Sequence, residues 1–166
     1  MVRWLTPAED RAWRGYRRMR TLLDLRLARD LAAESGLSET DYDVLSTLSE
    51  APGDRWRARE LAARLLWSSS RLAHHVGRME RRGLVARAAV DSDGRGAEVV
   101  LTARGRQVLE DAAPGHLESV RRHLVDLLTP AEIDTLATIA AKVVRNLEAD
   151  PRPVDGTPER APGPSR

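Results

Sequence analysis

The stretch from Ala58 to Thr102 limits the fold of this chain more than any other part of it. Apolar residues there recur first at helical spacing and then in short runs typical of strands. Two helices, two strands and the turn between the strands are predicted at residues 59–66, 69–82, 84–90, 97–101 and 91–96. Two successive helices followed by a β-ribbon predict a helix-turn-helix with a wing.

The same region concentrates positive charge. Between Arg55 and Arg87 there are nine arginines against Glu60 and Glu80, a local net charge of +7 in a chain whose total is +2. All other residues therefore sum to −5. Segregated basic charge on a helix-turn-helix indicates a surface for a polyanion such as double-stranded DNA.

The second helix of the motif has an inward and an outward face. At about 100° per residue, Leu72, Val76 and Met79 form one apolar stripe. Hydroxyl, imidazole and guanidinium groups, which suit phosphates and base edges, occupy the opposite arc and its flanks. We predict DNA contacts from Ser68, Ser69, Ser70, Arg71, His74, His75 and Arg78. A solvated basic helix surface is the alternative interpretation.

The turn at 91–96 predicts a second DNA contact. Its sequence Asp93-Gly94-Arg95-Gly96 indicates a tight tip that carries one cation. Because an arginine at a protruding tip can enter a narrow minor groove, we expect Arg95 to bind there and Asp93 to hold its guanidinium. Without the neighbouring helix, this segment would be only a turn with a surface arginine.

Helical patterns flank the motif on both sides. They are predicted at residues 6–34, 38–49, 103–128 and 130–148, with Gly36 ending the first and a kink or break at Pro114-Gly115 in the third. The last helix is apolar around more than half of its circumference, too wide a face for a single neighbour. A homodimer formed by both chain ends would bury this surface; a monomeric helical subdomain is the alternative.

Length and composition predict one domain with a tail. The 166 residues contain 42% hydrophobic side chains, enough for a core over residues 1–148. Residues 149–166 hold five prolines and predict a disordered tail. No apolar run approaches the about 20 residues of a membrane span, and the N-terminus lacks the apolar segment of a signal peptide, so we expect a cytoplasmic location.

Patterns typical of enzymes and metal sites are missing from the sequence. It contains no nucleophile elbow, P-loop or dinucleotide glycine fingerprint. It has no cysteine, which excludes disulfides and thiol chemistry. The histidine pairs, His74 with His75 and His116 with His123, lack the spacing of a metal motif. We expect no catalytic residues, no metal and no cofactor.

The segments RELAARL, SSSRLAHHVGRMERRGLVAR and DGRGAEVVLTARG carry a family resemblance. The chain resembles the MarR (multiple antibiotic resistance regulator) family of dimeric winged-helix transcription factors from Leu5 to Leu147. The family's wing pattern, Asp-x-Arg, an apolar strand and Leu-Thr-x-x-Gly, is matched by Asp93, Arg95, Val99, Leu101, Thr102 and Gly105. Gly94 stands where many members have a second arginine.

This resemblance implies both a fold and a function. The implied fold is mainly α-helical with a small β-wing, with a DNA-binding lobe at about 38–102 and dimerisation helices at about 6–34 and 103–148. The implied function is ligand-responsive regulation, most often repression, by a homodimer on a pseudo-palindromic operator. The alternative is a winged-helix module that binds an acidic protein instead of an operator.

The resemblance also implies a small-molecule effector between the dimerisation helices and the DNA-binding lobe. Trp13, Tyr16 and Arg17 on the first helix, with Asp43 on the second, are the residues expected to line such a crevice. An aromatic wall with a cation suits a planar aromatic anion. Packing of Trp13 and Tyr16 in a dimer core is the alternative.

Overall fold

The first helix begins at a capping box and ends at a glycine. The computed structural model describes residues 2–89 and 97–149, and in it α1 runs Pro7–Ser35. The hydroxyl of Thr6 accepts a hydrogen bond from Glu9 N, and the Glu9 carboxylate accepts one from Thr6 N. Gly36 ends the helix at φ 68°, a conformation that glycine adopts without strain. This confirms the long helix predicted from sequence.

The remaining elements follow the predicted order, with a third strand added. They are α2 (Glu39–Ser49), β1 (Arg55–Arg57), α3 (Ala58–Arg64), α4 (Ser69–Arg81), β2 (Val85–Ala89), β3 (Ala97–Leu101), α5 (Ala103–His123) and α6 (Pro130–Glu148), with short 3₁₀ turns at Pro52–Asp54 and Val125–Leu127. The sheet is antiparallel in the order β1-β3-β2. The predicted fold, mainly α with a small β-wing, is confirmed.

The core lies beneath α4 and joins it to α2, α3 and the sheet. The stripe predicted on α4 is buried: Leu72, Val76 and Met79 are among the most enclosed side chains. The other members of this cluster with the least exposure include Val44, Leu45, Leu48, Leu61, Val85 and Val99. Burying this stripe on one side of α4 leaves its opposite side in solvent.

Helix α5 differs from its prediction at two points. It continues through Pro114-Gly115, where a kink or break was expected, and it ends at His123 rather than Leu128. Contacts with α1 support the helix beyond the proline, because the Asp30 carboxylate accepts hydrogen bonds from Ser119 Oγ at 2.7 Å and His123 Nε2 at 2.9 Å. Proline removes one backbone donor, which such tertiary contacts can offset.

Helix α6 is exposed over its whole length in the single chain. Its apolar side chains in solvent include Ile133, Leu136, Ile139, Val143, Val144 and Leu147. The N-terminal half of α1 is similar, with Trp13, Tyr16, Met19 and Leu22 exposed. Within the described residues, no helix has both the length and the apolar character needed to cross a membrane.

Candidate nucleic-acid interface

The turn between α3 and α4 sets the direction of α4. Leu66 adopts φ 53°, and Trp67 N donates a hydrogen bond to Ala62 O at 2.8 Å. Ser68 then caps α4 by accepting a hydrogen bond from Arg71 N. The predicted contact residue Ser68 thus uses its hydroxyl oxygen to begin the helix.

The outward side of α4 carries polar side chains in solvent. Ser69, Ser70, Arg71, His74 and Arg78 are all exposed. The Arg71 guanidinium lies 4.3 Å from the centre of the Trp67 ring, a cation–π distance. These side chains combine hydroxyl, imidazole and guanidinium groups on one accessible surface, which we call the α4 face.

His75 does not belong to the α4 face. Only 5% of this residue is exposed, and its ring meets the edge of Trp67 with ring centres 5.4 Å apart. The expectation that His75 contacts DNA is therefore corrected. Its position three residues after Leu72 and four before Met79 is that of the inward stripe, so helical spacing alone could have indicated its burial.

A buried polar cluster connects α4 to α2. His75 Nε2 lies 3.1 Å from Asp41 Oδ1, in a contact that is not aligned as a hydrogen bond. Arg82 Nη1 donates to Asp41 Oδ2 at 2.7 Å. Burial raises the pKa of Asp41, but hydrogen bonds from Arg82 and Ser38 outweigh it and leave that pKa below its ordinary value. Asp41 thus contacts the middle of α4 at His75 and the residue just after its end, Arg82.

The base of the wing is attached to α4 as well. Arg87 of β2 donates from Nη2 to Ala73 O at 3.0 Å, and its backbone N–H donates to the Glu80 carboxylate. Strands β2 and β3 pair from Val85 with Leu101 to Ala89 with Ala97. The predicted tip residues Asp93 and Arg95 lie outside the described residues.

Thr102 and Gly105 join the wing to α5. The Thr102 hydroxyl donates to Gly83 O at 2.7 Å and accepts from Gly105 N at 2.9 Å. A Cβ atom on Gly105 would overlap the carbonyl oxygen of Leu84. The Leu-Thr-x-x-Gly pattern therefore has a local steric cause in this chain.

The residues expected to form an effector crevice are only partly assembled. Trp13 and Tyr16 stack with ring centres 5.9 Å apart, and the Arg17 guanidinium lies 6.0 Å from the Trp13 ring. Asp43 lies elsewhere, next to Tyr42, whose ring is 4.4 Å from that of His116. Burial raises the pKa of Asp43, while His116 and Arg71 oppose that increase.

The length of α1 separates these groups within one chain. Trp13 precedes Asp30 by 17 helical residues, about 26 Å at 1.5 Å per residue. Asp30 contacts α5 at Ser119 and His123, and Gly115, next to His116, lies against Glu34, one turn further along α1. The expected four-residue crevice is therefore corrected to an aromatic–arginine cluster on α1, with Asp43 in a different environment.

The histidines of the two predicted pairs lie in different environments. His74 is exposed whereas His75 is buried, and His123 is bonded to Asp30. Over the part of the chain that the structure describes, no group of three or more His, Cys, Asp or Glu residues could hold a metal ion.

Comparison with known proteins finds one family. The sequence profile of the MarR family matches residues 35–96. The chain is similar to the crystal structure of AbsC, a MarR family transcriptional regulator from Streptomyces coelicolor, with 40% identity over 90% of this chain and 100% of that one, at a TM-score of 0.85. None of the curated proteins compared with the chain matches it.

Two further solved structures contain DNA. Sco3205, a MarR family transcriptional regulator from Streptomyces coelicolor in complex with DNA, shares 38% identity over 93% of this chain and 97% of its own, with a TM-score of 0.87. A mutant MarR from E. coli, complexed with operator DNA, shares 24% identity over 78% of this chain and 91% of its own, with a TM-score of 0.70. At that identity the E. coli likeness extends to the fold alone.

Proposed function

This chain belongs to the MarR family of transcriptional regulators, and from that premise we propose that it is a homodimeric, ligand-responsive repressor. Members of the family are DNA-binding transcription regulators, not enzymes. The observation that carries the proposal is the α4 face, a cluster of polar and cationic side chains in solvent on a helix with a buried opposite side. We propose that this face enters the major groove of an operator.

Each group on the α4 face has a proposed contact. Ser69 and Ser70 lie in the first turn, where backbone N–H groups and the helix dipole favour a phosphate. Arg71, His74 and Arg78 follow along the same exposed side and suit base edges or phosphates. Arg95 is proposed to enter the adjacent minor groove, with Asp93 supporting it. That the similar protein Sco3205 forms a complex with DNA supports DNA binding by this chain.

Dimerisation is proposed through the two chain ends. Helix α6 and the N-terminal half of α1 expose large apolar side chains that a single chain leaves in water. A two-fold partner would bury them, since a symmetric interface uses the same surface on both copies. We propose a DNA-binding lobe at 38–102 between dimerisation helices at 6–34 and 103–148. Two copies would then read half-sites about one helical turn apart.

A planar aromatic anion is the proposed effector class. The stacked Trp13 and Tyr16 rings with Arg17 alongside combine an aromatic surface with a cation. Further along α1, Leu22, Leu23, His123 and Leu124 help to line a cavity of about 320 Å³ between α1 and the end of α5. Packing of the two rings in the dimer core is the competing explanation. Titration with a planar aromatic anion, monitored by tryptophan fluorescence, distinguishes an effector site from dimer packing.

The deciding experiment is a gel-shift measurement with the intergenic DNA upstream of the protein's own gene. We expect selective binding whose affinity falls steeply with salt, because several phosphates are neutralised. Unrelated DNA of equal length is the control. Equal affinity for both DNAs, or no binding at low salt, would contradict an operator-binding function and favour the protein-interaction module.

A further inference from the structure

One side chain of the α4 face is bonded to the interior of the protein. Arg78 is exposed, but its Nη2 atom lies 2.7 Å from Nδ1 of the buried His75 ring. A guanidinium has only donor groups, so Nδ1 must be the acceptor. The His75 proton is therefore on Nε2, the nitrogen that faces Asp41 at 3.1 Å. The buried ring thus presents a lone pair to a surface arginine.

Asp41, which faces the other nitrogen of the His75 ring, is fixed in place by its own hydrogen bonds. Asp41 is buried at the start of α2, where Ser38 and Asp41 form a capping box. Its second oxygen accepts the hydrogen bond from Arg82. The Trp67 ring packs against the His75 ring in an edge-to-face arrangement and also lies against the Arg71 guanidinium. The His75 ring is consequently confined between α2 and the loop before α4.

We propose that Asp41 and His75 form a buried relay that positions the Arg78 guanidinium for DNA, and that protonation of His75 releases it. This inference rests on the proposed function, in which the α4 face binds an operator. The hydrogen bond to His75 uses one N–H of the guanidinium and restricts its rotation. The remaining N–H groups can meet a base edge or phosphate with less loss of conformational entropy.

Protonation would reverse the contact that holds Arg78. A charged imidazole has N–H donors at both nitrogens, so Nδ1–H would oppose the Arg78 donor. The charged groups facing the ring are Asp41 from α2, Arg71 and Arg78 from α4, and Arg82 just after α4, joined to the ring through Asp41. Burial lowers the pKa of His75, Asp41 opposes this and the arginines add to it. The ring is therefore neutral at pH 7.

A double-mutant cycle tests whether His75 acts through Arg78. His75→Leu removes the acceptor, and we expect an about tenfold loss of affinity for the operator relative to unrelated DNA, within the range for directly coupled residues. In the Arg78→Ala background the same substitution should cost little. His75→Asn, whose amide oxygen can occupy the place of Nδ1, should recover part of the loss.

The outcomes separate this relay from a purely structural role. An His75→Leu penalty that persists unchanged in the Arg78→Ala background would overturn the relay while leaving operator binding intact. If the wild-type protein binds its upstream DNA no more tightly than unrelated DNA, both the proposed function and the relay are contradicted. Circular dichroism of each variant establishes that the fold is retained.

A pH titration tests the release step without depending on the leucine variant. As the pH falls below 6.5, we expect operator selectivity of the wild-type protein to fall while that of His75→Asn changes much less. All other side chains are shared by the two proteins, so a difference between their pH profiles reports on His75. Parallel pH profiles for the two proteins would overturn the release step.

Discussion

Thr102 and Gly105 show how two neighbouring residues fasten one element to another. A single hydroxyl caps α5 and also bonds the loop before β2, which brings the first turn of α5 against Leu84. This close approach leaves no room for a side chain at Gly105. The backbone of Leu84 cannot move away without disturbing the start of β2, so the constraint is stricter than one set by a flexible side chain.

Gly105→Ala should destabilise the protein by about 1–3 kcal/mol, the usual cost of overpacking. The matched control is Gly77→Ala in α4, where an added Cβ would meet Arg87 at an ordinary 3.7 Å. That control should be neutral or stabilising by up to about 1 kcal/mol, because alanine is the better helix former. Urea unfolding of both variants measures the difference; equal stabilities would show that α5 can shift.

His75 also makes stability depend on pH. Burial lowers its pKa from the ordinary value of 6.5, so the unfolded chain binds a proton more readily than the folded one. The free energy of unfolding should therefore be highest above pH 6.5 and decline as the pH falls below it. The decline should be smaller in His75→Asn, which shares every other titrating group, when denaturant midpoints are compared from pH 7.5 to 5.5. A wild-type protein stabilised by acid would contradict the burial.

Helix α4 shows how one element serves two environments. Its buried side packs on the core and on Asp41, whereas its exposed side presents the groups proposed to bind DNA. Arg87 attaches the wing to the same helix. The paired strands β2 and β3 are therefore fixed relative to α4 through Arg87.

Arg95→Ala should weaken operator binding by about 3- to 30-fold and lower the slope of log affinity against log salt by about one. The fold should not change, because the expected role of Arg95 is a surface contact. Arg29→Ala, an exposed arginine on α1, provides the control for loss of one charge. Unchanged affinity in the Arg95 variant would remove the wing from the proposed mechanism.

The whole molecule combines a well-packed lobe with two helices that expose apolar side chains to water. The core joins α2, α3, α4 and the sheet, while α6 and half of α1 extend their apolar side chains into solvent. Large exposed apolar side chains grouped on two helices are typical of an interface. They are the observation that supports the proposed dimer.

Val143→Glu should shift the protein from dimer to monomer. A symmetric dimer carries the substitution twice, so about 2 kcal/mol per copy would raise the dimer Kd about a thousandfold. Thr138→Glu places the same charge on the opposite, polar side of α6 and should leave the dimer intact. Sedimentation velocity at micromolar concentration distinguishes the two variants. A monomeric wild-type protein would contradict the dimer proposal itself.

Local signals in the sequence were sufficient to predict where five of the helices begin. Thr6, Ser38, Ser68, Thr102 and Thr129 were readable as caps, because a capping hydroxyl acts within three residues of its own position. The inward stripe of α4 could be predicted for a similar reason, because helical spacing alone places Leu72, Val76 and Met79 on one face. The charge segregation on Arg55–Arg87 needed no structure at all.

The sequence alone was enough to derive the order of the helices and of strands β2 and β3, the winged helix-turn-helix motif and the family resemblance. The tertiary structure decided three further points: strand β1, which exists through pairing with β3; the contact of His75 with Asp41, 34 residues away; and the separation of Asp43 from the aromatic cluster on α1. Each depends on contacts between residues distant in sequence. Such contacts exist only once the chain is folded, so no local pattern encodes them.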